Sequence, residues 1–537
     1  MPDAVLLHDL PALSALRSPE AAALTHGGTH TTYGALQTAI ERCAAGLLQL
    51  GIERAARVAV FLEKRVENVV ACFGSAAAGA VFVPLNPLLK PEQVGHILRD
   101  CNVRVIVTSG ERLALIADTL RQCPDVRTVV LIGDNTPSEK EGLGKFAVIG
   151  WNELLDAAAP KAHRVIDTDM LAILYTSGST GKPKGVVLSH RNMVAGAKSV
   201  ATYLENTAQD VIVSALPLSF DAGFSQLTTA FHVGARVVLV NYLLPRDVIR
   251  AMEQESATGL TAVPPLWIQL TQLDWPKAIS ERLRYFANTG GRMPFETLKA
   301  IRARAPKARP YLMYGLTEAF RSTYLPPEEV DARPDSIGKA IPNAEILVLR
   351  EDGTEAGPNE PGELVHRGAL VSMGYWNDPD KTAERFKPLP YGVGGRESGL
   401  VIPELAVFSG DTVRRDAEGF LYFIGRRDEM IKTSGYRVSP TEVEEVLYST
   451  QLVGETAVFG VDHDTLGQAI VAIVTPRPGG TLDRDELLAL CRAQLPAYMV
   501  PAVVDVRGGP LPRNANGKID RPTLAREYRA DTQVAAR

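Results

Sequence analysis

The chain has 537 residues, of which 45% are hydrophobic, and it carries a formal net charge of −5. It is long enough for a large globular domain plus a smaller one, and it lacks the basic excess expected of a nucleic-acid-binding protein. It also lacks an apolar run of about 18 residues and the features of a signal peptide, so we expect a cytoplasmic protein without membrane contact.

Short β-branched runs alternate with helical stretches through the first half of the chain. The runs include residues 57–62, 103–108, 128–132 and 235–240, and the helical stretches include 35–50 and 91–100. This alternation is typical of parallel sheets covered by helices on both faces. We therefore expect an α/β fold, with a large N-terminal domain at residues 1–427 and a small, mobile C-terminal α+β domain at residues 428–537.

Five cysteines are scattered along the chain without a Cys-x-x-Cys pair: Cys43, Cys72, Cys101, Cys123 and Cys491. Their odd number and wide spacing favour small core residues over disulfides, a metal site or a nucleophile. We expect them to be buried as free thiols.

The first motif with chemical content follows an apolar run near residue 174. Its glycines let backbone N–H groups approach an anion, its hydroxyls donate hydrogen bonds, and its lysines supply positive charge. The residues predicted to bind a polyphosphate are Thr176, Ser177, Gly178, Ser179, Thr180, Gly181, Lys182 and Lys184. The spacing differs from the Walker motif because Pro183 follows Lys182. Taken alone, the motif also fits a Gly/Ser surface loop.

The segment 387–404, rich in Pro and Gly, is expected to be a mobile surface insertion without assignable chemistry. After Gly425 the sequence becomes highly charged, with the run Arg426-Arg-Asp-Glu429. A compact α+β pattern follows, with a helix predicted at 441–447. This change sets the predicted domain boundary. The residues from 527 onward are expected to form a frayed tail.

Further motifs follow the polyphosphate loop in a fixed order. They are Tyr314-Gly-Leu-Thr-Glu318, Gly362-Glu-Leu364, Ser409-Gly-Asp411, Gly425-Arg-Arg-Asp428, Ile431-Lys-Thr-Ser-Gly-Tyr-Arg-Val-Ser-Pro440 and Pro512-Arg-Asn-Ala-Asn-Gly-Lys518. The ordered set resembles the adenylate-forming superfamily, which includes acyl-CoA synthetases, the adenylation domains of nonribosomal peptide synthetases and firefly luciferase. The resemblance implies an ATP- and Mg²⁺-dependent ligase that makes an acyl-adenylate and passes the acyl group to a phosphopantetheine thiol.

The resemblance also implies roles in nucleotide binding. Glu318 is similar to the family's Mg²⁺ ligand, and Thr317 would hydrogen-bond the α-phosphate. Tyr314 looks like the ring that stacks on adenine, with Gly290 and Gly291 offering the base a flat backbone edge. Without the companion motifs, a Tyr-Gly turn with an acid nearby is common in any sheet protein.

Five further assignments concern the second half of the set. By resemblance, Asp411 accepts both ribose hydroxyls and Arg426 adds a donor at the ribose or phosphate. Asp428 looks like the hinge about which the small domain rotates. Lys518 would bridge the carboxylate and the α-phosphate during adenylation, while the loop 431–436 would meet the pantetheine arm. In isolation these residues fit a turn aspartate, a solvated charge cluster and a surface lysine.

Substrate choice depends on Ser219-Phe-Asp-Ala-Gly-Phe-Ser-Gln226, which resembles the Phe-Asp motif of amino-acid-activating domains. There the aspartate pairs with the substrate's α-ammonium, so a fatty or aryl acid is expected to leave Asp221 unpaired at a cost of a few kcal/mol. An ordinary loop aspartate is the alternative. The same resemblance puts Met313, Arg321 and Ser322 near the pocket wall, with Arg321 either meeting a polar substrate end or pointing away.

The segments 315–330 and 338–344 look most like bacterial ligases associated with exosortase A systems and like stand-alone proline-adenylating enzymes. The leading interpretation is therefore activation of an amino acid and its transfer to a carrier protein. An acyl-CoA ligase for a non-amino acid is the alternative. A luciferase-like oxygenase has no distinctive feature in its favour, and the intact Lys518, Glu318 and Asp411 disfavour an inactive nucleotide-binding module.

Overall fold

We describe the chain from a computed structural model that covers residues 3–133, 146–157, 162–176, 183–399, 401–426, 429–433, 436–463 and 465–535. The helices in these ranges are α1 Asp9–Arg17, α2 Tyr33–Gln49, α3 Val66–Ala77, α4 Pro91–Asp100, α5 Gly110–Arg121, α6 Trp151–Leu155, α7 His190–Tyr203, α8 Asp221–Val233, α9 Pro245–Gln254, α10 Pro264–Leu270, α11 Lys277–Arg282, α12 Phe295–Arg304, α13 Pro379–Arg385, α14 Pro440–Ser449, α15 Arg484–Gln494 and α16 Arg521–Ala535. None of these helices is both long and apolar enough to cross a bilayer.

The strands in the same ranges are β1 Ala22–His26, β2 Thr29–Thr32, β3 Arg57–Phe61, β4 Val81–Pro84, β5 Val103–Ser109, β6 Thr128–Ile132, β7 Ala147–Gly150, β8 Met170–Thr176, β9 Lys184–Ser189, β10 Val211–Ser214, β11 Arg236–Leu239, β12 Gly259–Ala262 and β13 Tyr285–Asn288. They continue as β14 Arg309–Tyr314, β15 Thr323–Leu325, β16 Ser336–Ala340, β17 Ala344–Leu349, β18 Pro361–Gly368, β19 Phe386–Pro388, β20 Leu405–Arg415, β21 Leu421–Arg426, β22 Ile431–Thr433, β23 Tyr436–Val438, β24 Val453–His463, β25 Gly467–Pro476 and β26 Val503–Val506. Short 3₁₀ turns occur at Thr317–Ala319, Pro327–Glu329 and Ala497–Met499.

The β-branched runs and helical stretches of the first half form the predicted elements. Strands β3, β5, β6 and β11 lie within a residue or so of their expected bounds, and α4 has the expected bounds Pro91–Asp100. Pro91 can begin α4 because the first helical N–H has no intrahelical partner. Helix α2 begins after Thr32, whose hydroxyl accepts a hydrogen bond from the Ala35 N–H at 3.2 Å.

Two large sheets share a central layer of helices. One sheet has the strand order β7-β6-β5-β3-β4-β8-β9, and the other runs from β17 through β14, β13, β12, β10 and β11 to β2. Side chains of α2, α3, α7 and α8 fill the space between the sheets in one hydrophobic core. There Phe224 of α8 stacks on Phe82 of β4 with 4.9 Å between ring centroids. Helix α8 is therefore buried between two sheets.

The pairing in the larger sheet changes direction after β14. From β1 to β14 the strands are parallel apart from β2, as predicted, whereas β15 to β21 pair antiparallel. This antiparallel part is not predicted by the alternation of strands and helices in the sequence. Within it, β20 and β21 are joined by the short turn at Asp416–Gly419, and a short turn permits only antiparallel pairing.

A third sheet, with the order β23-β22-β25-β24 and β26 beside β25, lies wholly after residue 430. It packs with α14 and α15 around its own hydrophobic core. The predicted boundary between residues 427 and 428 falls outside the described residues and stays a prediction.

Three smaller expectations have mixed outcomes. All five cysteines are buried and free, as predicted. The segment 387–404 is not entirely at the surface, because Leu389 and Val393 are buried in a small cluster with Leu347 and Val365. The expected frayed tail is wrong as far as Ala535, since α16 continues to that residue.

Candidate active site

Site residues on three loops converge at one edge of the larger sheet. Strands β10, β12, β13 and β14 run parallel, so their carboxyl ends share that edge. The loop after β10 leads to Asp221, the loop after β13 carries Gly290, and the 3₁₀ turn after β14 carries Thr317 and Glu318.

Tyr314, Asp411 and Arg426 form a compact polar group beside this edge. The Tyr314 hydroxyl donates to Asp411 Oδ2 at 2.5 Å, and Arg426 Nε lies 3.2 Å from Asp411 Oδ1. Asp411 and Arg426 are Cα partners on β20 and β21, which fixes their separation. Burial raises the pKa of Asp411, while Arg426 and the Tyr314 hydroxyl act in the opposite direction. No described residue donates a hydrogen bond to the buried Oδ1, so this oxygen is available to a hydroxyl of a ligand.

Glu318 is oriented by a residue that the sequence analysis missed. The Tyr375 hydroxyl donates to Glu318 Oε1 at 2.6 Å, and burial and this carboxylate raise the pKa of Tyr375 far above its usual range. Lys184 Nζ lies 5.8 Å from the centre of the Tyr375 ring. Tyr375 thus connects the predicted metal ligand with the end of the polyphosphate motif. No local signal marks it, because its role depends on a contact between residues 57 positions apart.

The polyphosphate motif can be placed only at its ends. Thr176 ends β8 and Lys184 begins β9, and the two are Cα partners in an antiparallel pair. Ser177, Gly178, Ser179, Thr180, Gly181 and Lys182 lie outside the described residues. The hinge candidate Asp428 lies outside them as well.

Lys518 reaches the site on a tight turn of the C-terminal domain. The Gly517 N–H donates to Asn514 O at 2.9 Å, and the Asn86 side chain of the large domain donates to Ala515 O. Lys518 is half-buried, with Nζ 5.4 Å from the centre of the Phe220 ring. It is not the solvated lysine that an Asn-Gly turn would suggest. Burial lowers its pKa, and Asp221 acts in the opposite direction.

Gly290 makes room for this lysine. Its φ is +77°, a conformation that side chains other than glycine rarely adopt. A Cβ at Gly290 would lie 2.7 Å from Lys518 Cε, and one at Gly291 would lie 3.2 Å from Pro264 Cγ. The structure therefore brings the predicted glycines and the predicted lysine together.

Asp221 and Arg321 form a buried ion pair, with 3.3 Å between Asp221 Oδ2 and Arg321 Nη1. Each residue is only 3% exposed. Burial raises the pKa of Asp221, and Arg321 and Lys518 oppose that shift. The premise that a substrate without an ammonium leaves Asp221 unpaired does not hold here, because Arg321 already supplies a positive partner.

The backbone turns sharply to bring Arg321 inward. Phe320 has φ +57° and ψ −47°, and the Arg321 N–H donates to Ala319 O at 2.6 Å. This is a γ-turn with positive φ, a strained conformation that clusters at functional sites. The Phe320 ring fills the space above Gly196, where a Cβ would lie 2.4 Å from the ring. No sequence pattern predicts the strained backbone at Phe320.

The remaining pocket residues separate into two groups. Met313 and Arg321 line a small cavity beside α8, and the Tyr203 hydroxyl lies 3.0 Å from the Met313 sulfur. Ser322 is also buried but is engaged elsewhere, since its hydroxyl lies 2.9 Å from His366 Nδ1.

His366 should make stability depend on pH. It is fully buried, and burial lowers its pKa to about 3. Below the unfolded pKa of about 6.5 the unfolded chain binds a proton that the folded chain does not, so stability falls as the pH drops through this value. His366→Asn keeps a polar side chain that can bond to Ser322. We expect its melting temperature to fall less than that of the wild type when the pH is lowered from about 7.5 to about 5.5.

Differential scanning calorimetry at these pH values is the measurement. His463→Asn, a change at an exposed histidine, is the matched control and should keep the pH dependence of the wild type. Equal slopes for wild type and His366→Asn would show that the buried ring does not titrate as described.

Polar contacts also join the two domains away from Lys518. The Phe295 N–H donates to Glu445 Oε1 at 3.2 Å, and Arg292 Nε lies 3.6 Å from Glu445 Oε2. The Gln451 side chain donates to Glu296 at 2.9 Å. We call the five residues Arg292, Phe295, Glu296, Glu445 and Gln451 the polar domain interface.

The donor set fits a nucleotide with a hard metal ion. The buried Asp411, whose Oδ1 accepts no hydrogen bond from a described residue, can receive a ribose hydroxyl. The space opposite Lys518 suits a phosphate, and the oriented Glu318 suits Mg²⁺. Among the described residues no cluster of three or more His, Cys, Asp or Glu occurs. A metal held by one carboxylate and phosphate oxygens needs no such cluster.

Comparison with known proteins gives two family matches. The AMP-binding enzyme family matches residues 12–376, and the C-terminal domain of AMP-binding enzymes matches residues 442–518.

Similar individual proteins include ligases and a peptide synthetase. A long-chain-fatty-acid–CoA ligase of Escherichia coli O157:H7 is 30% identical over 97% of this chain and 94% of its own length. A linear gramicidin synthase of Brevibacillus parabrevis is 28% identical over 95% of this chain and 6% of its own length. The anthranilate CoA ligase AuaEII with bound anthranoyl-AMP has a TM-score of 0.86 at 23% identity over 98% of each chain, a likeness of fold.

Proposed function

The chain belongs to the AMP-binding enzyme family and is an AMP-forming acid–thiol ligase, and from that premise we propose that it joins a carboxylic acid to coenzyme A. The observation that carries the proposal is Lys518 lying over Gly290 and Phe220, beside the Asp221–Arg321 pair. The similar full-length ligase of Escherichia coli is named for a CoA product, which favours CoA as the acceptor.

The first half-reaction joins two anions. A carboxylate oxygen attacks the α-phosphorus of ATP, a P–O bond forms, and the bond to pyrophosphate breaks. The protein must therefore supply positive charge and hold the reactants in line. Lys518 would neutralise charge at the carboxylate and α-phosphate, and Thr317 would donate to the same phosphate. Mg²⁺ bound through Glu318 would neutralise charge on the phosphate oxygens.

In the second half-reaction a thiol sulfur attacks the acyl carbon and AMP leaves. We propose that Lys518 then withdraws, since it serves only adenylation, and that the domain rotates about Asp428 so that the loop 431–436 faces the thiol. The polar domain interface can break at low cost because exposed ion pairs contribute little stability.

Asp428→Pro tests the rotation. Proline would fix φ near about −65° and hinder the movement, so pyrophosphate exchange should survive while thioester formation slows. The two rates are measured separately, by isotope exchange and by the loss of free thiol as the thioester forms. Unimpaired thioester formation would mean that the pivot lies elsewhere.

Asp411 should govern nucleotide affinity. Asp411→Asn removes the charge between Tyr314 and Arg426 and is expected to raise the KM for ATP by about ten- to a hundredfold. The KM for the acid, measured in the same exchange assay, should change little and is the internal control. A change in the acid's KM alone would contradict the assignment to the ribose.

A second candidate is transfer of an amino acid to a carrier protein. It is favoured by Asp221, a buried carboxylate at the start of α8 that could exchange Arg321 for a substrate ammonium. The similarity to a gramicidin synthase points in the same direction.

One experiment separates the two candidates. Pyrophosphate exchange is measured with a panel of fatty, aryl, hydroxy and amino acids, and the best acid is then offered CoA or a phosphopantetheinylated carrier protein. Exchange with acids that lack an ammonium, followed by CoA thioester formation, is the expected result. Exchange with amino acids alone would replace the main proposal by the second candidate.

A further inference from the structure

Helix α8 is buried but not apolar on all sides. Every residue from Asp221 to Phe231 is buried, yet the neighbours Ser225 and Gln226 share one face with Thr229, which lies about one turn further along the helix. A helix buried on all sides normally carries apolar side chains, because a polar group without a partner costs free energy. This polar stripe therefore requires an explanation.

The stripe faces a small, partly open cavity. This cavity lies between α8 and the sheet, with Thr261, Tyr285 and Arg321 on its other walls. The volume that the centre of a water molecule can occupy in this cavity is 20 Å³. Once the radius of a water is added on all sides, the space is on the order of 100 Å³, enough for about five or six non-hydrogen atoms. A long hydrocarbon chain does not fit.

Three polar side-chain atoms of the lining residues lack hydrogen-bond partners among the described residues: Gln226 Oε1, Thr229 Oγ1 and Arg321 Nε. The Gln226 amide nitrogen donates to Val213 O at 3.0 Å, which leaves Oε1 as the free acceptor. Among the described residues no donor reaches Gln226 Oε1, and Thr229 Oγ1 has no hydrogen-bond partner. Gln226 and Thr229 are 5% and 2% exposed. Gln226 Oε1 requires a hydrogen-bond donor and Arg321 Nε requires an acceptor, and a hydroxyl that enters the cavity supplies both.

We propose that this cavity receives the tail of a short carboxylic acid that bears a hydroxyl or amino group, with Gln226 as the specificity-determining acceptor. The inference rests on the proposed function, which puts the acid's carboxylate near Lys518. Room for about five or six non-hydrogen atoms accommodates a tail of about four methylene groups and one donor atom.

The test compares isosteric acids in pyrophosphate exchange. The wild type should use δ-hydroxyvaleric acid about ten- to a hundredfold more efficiently than hexanoic acid, and should not use palmitic acid. Gln226→Leu should remove this preference, mainly by improving hexanoic acid, and Thr229→Val should weaken it. Thr228→Val is the matched control, because the Thr228 hydroxyl bonds to Ser225 O on the same helix.

The outcomes distinguish this inference from the proposed function. The inference about the cavity would be overturned if the wild type used hexanoic or palmitic acid as well as, or better than, δ-hydroxyvaleric acid. It would also be overturned if the wild type showed pyrophosphate exchange with neither δ-hydroxyvaleric nor hexanoic acid. If Gln226→Leu and Thr228→Val had equal effects on both acids, Gln226 would only contribute to packing, and this result would also overturn the inference. Exchange with no carboxylic acid at all would instead contradict the proposed function.

Discussion

Replacing Lys518 with alanine is expected to slow acyl-adenylate formation by about 10²–10³-fold, the usual loss when one preorganised donor is removed. The structure gives the reason, since Lys518 lies in the cleft between Gly290 and the Phe220 ring instead of in solvent. Conversion of a supplied acyl-adenylate to thioester should continue, because the proposed role of Lys518 is confined to adenylation. Pyrophosphate exchange and thioester release measure the two half-reactions separately.

Arg526→Ala is the control for Lys518→Ala. It also removes a positive charge from the C-terminal domain, but at an exposed position on α16, and should leave both half-reactions unchanged. Equal loss of both half-reactions in Lys518→Ala would contradict a role confined to adenylation.

The Asp221–Arg321 pair should show strong coupling in a double-mutant cycle. Asp221→Asn leaves Arg321 buried without its carboxylate, and breaking a buried pair costs roughly 3–5 kcal/mol, or about two to four decades in efficiency. Arg321→Met in the same chain removes the stranded charge and should restore at least about tenfold of the activity with simple acids. Exchange efficiency and melting temperature are measured for each variant.

The same cycle tests the role of an ammonium. If Asp221 paired with a substrate ammonium, the double variant would remain inactive with amino acids while desamino acids recovered. A cycle without coupling would mean that the two residues act independently and that the pair does not organise the pocket.

The residue pattern predicted those parts of the fold that depend on local sequence. Runs such as 128–132 became β6 with the same bounds, because β-branched residues suit a buried parallel strand. The motifs also named the residues that meet at the carboxyl edge, including Gly290 and Lys518, which are far apart in sequence.

The contacts that tune the site could not be predicted in this way. The bonds from Tyr375 to Glu318 and from Arg321 to Asp221 join residues 57 and 100 positions apart, so they depend on topology and not on local pattern. The γ-turn at Phe320 has no sequence signature, because positive φ at a bulky residue is imposed by its surroundings. Sequence reasoning therefore identified Asp221 and Arg321 but not their pairing.

The polar domain interface has a consequence for the behaviour of the enzyme in different media. Its contacts, such as Arg292 with Glu445, are partly exposed to water, and dissolved ions screen such charges over about 8–10 Å at physiological salt. Rising ionic strength should therefore shift the population away from the arrangement in which Lys518 occupies the cleft. The balance between the two half-reactions then becomes a property of the surrounding solution as well as of the chain.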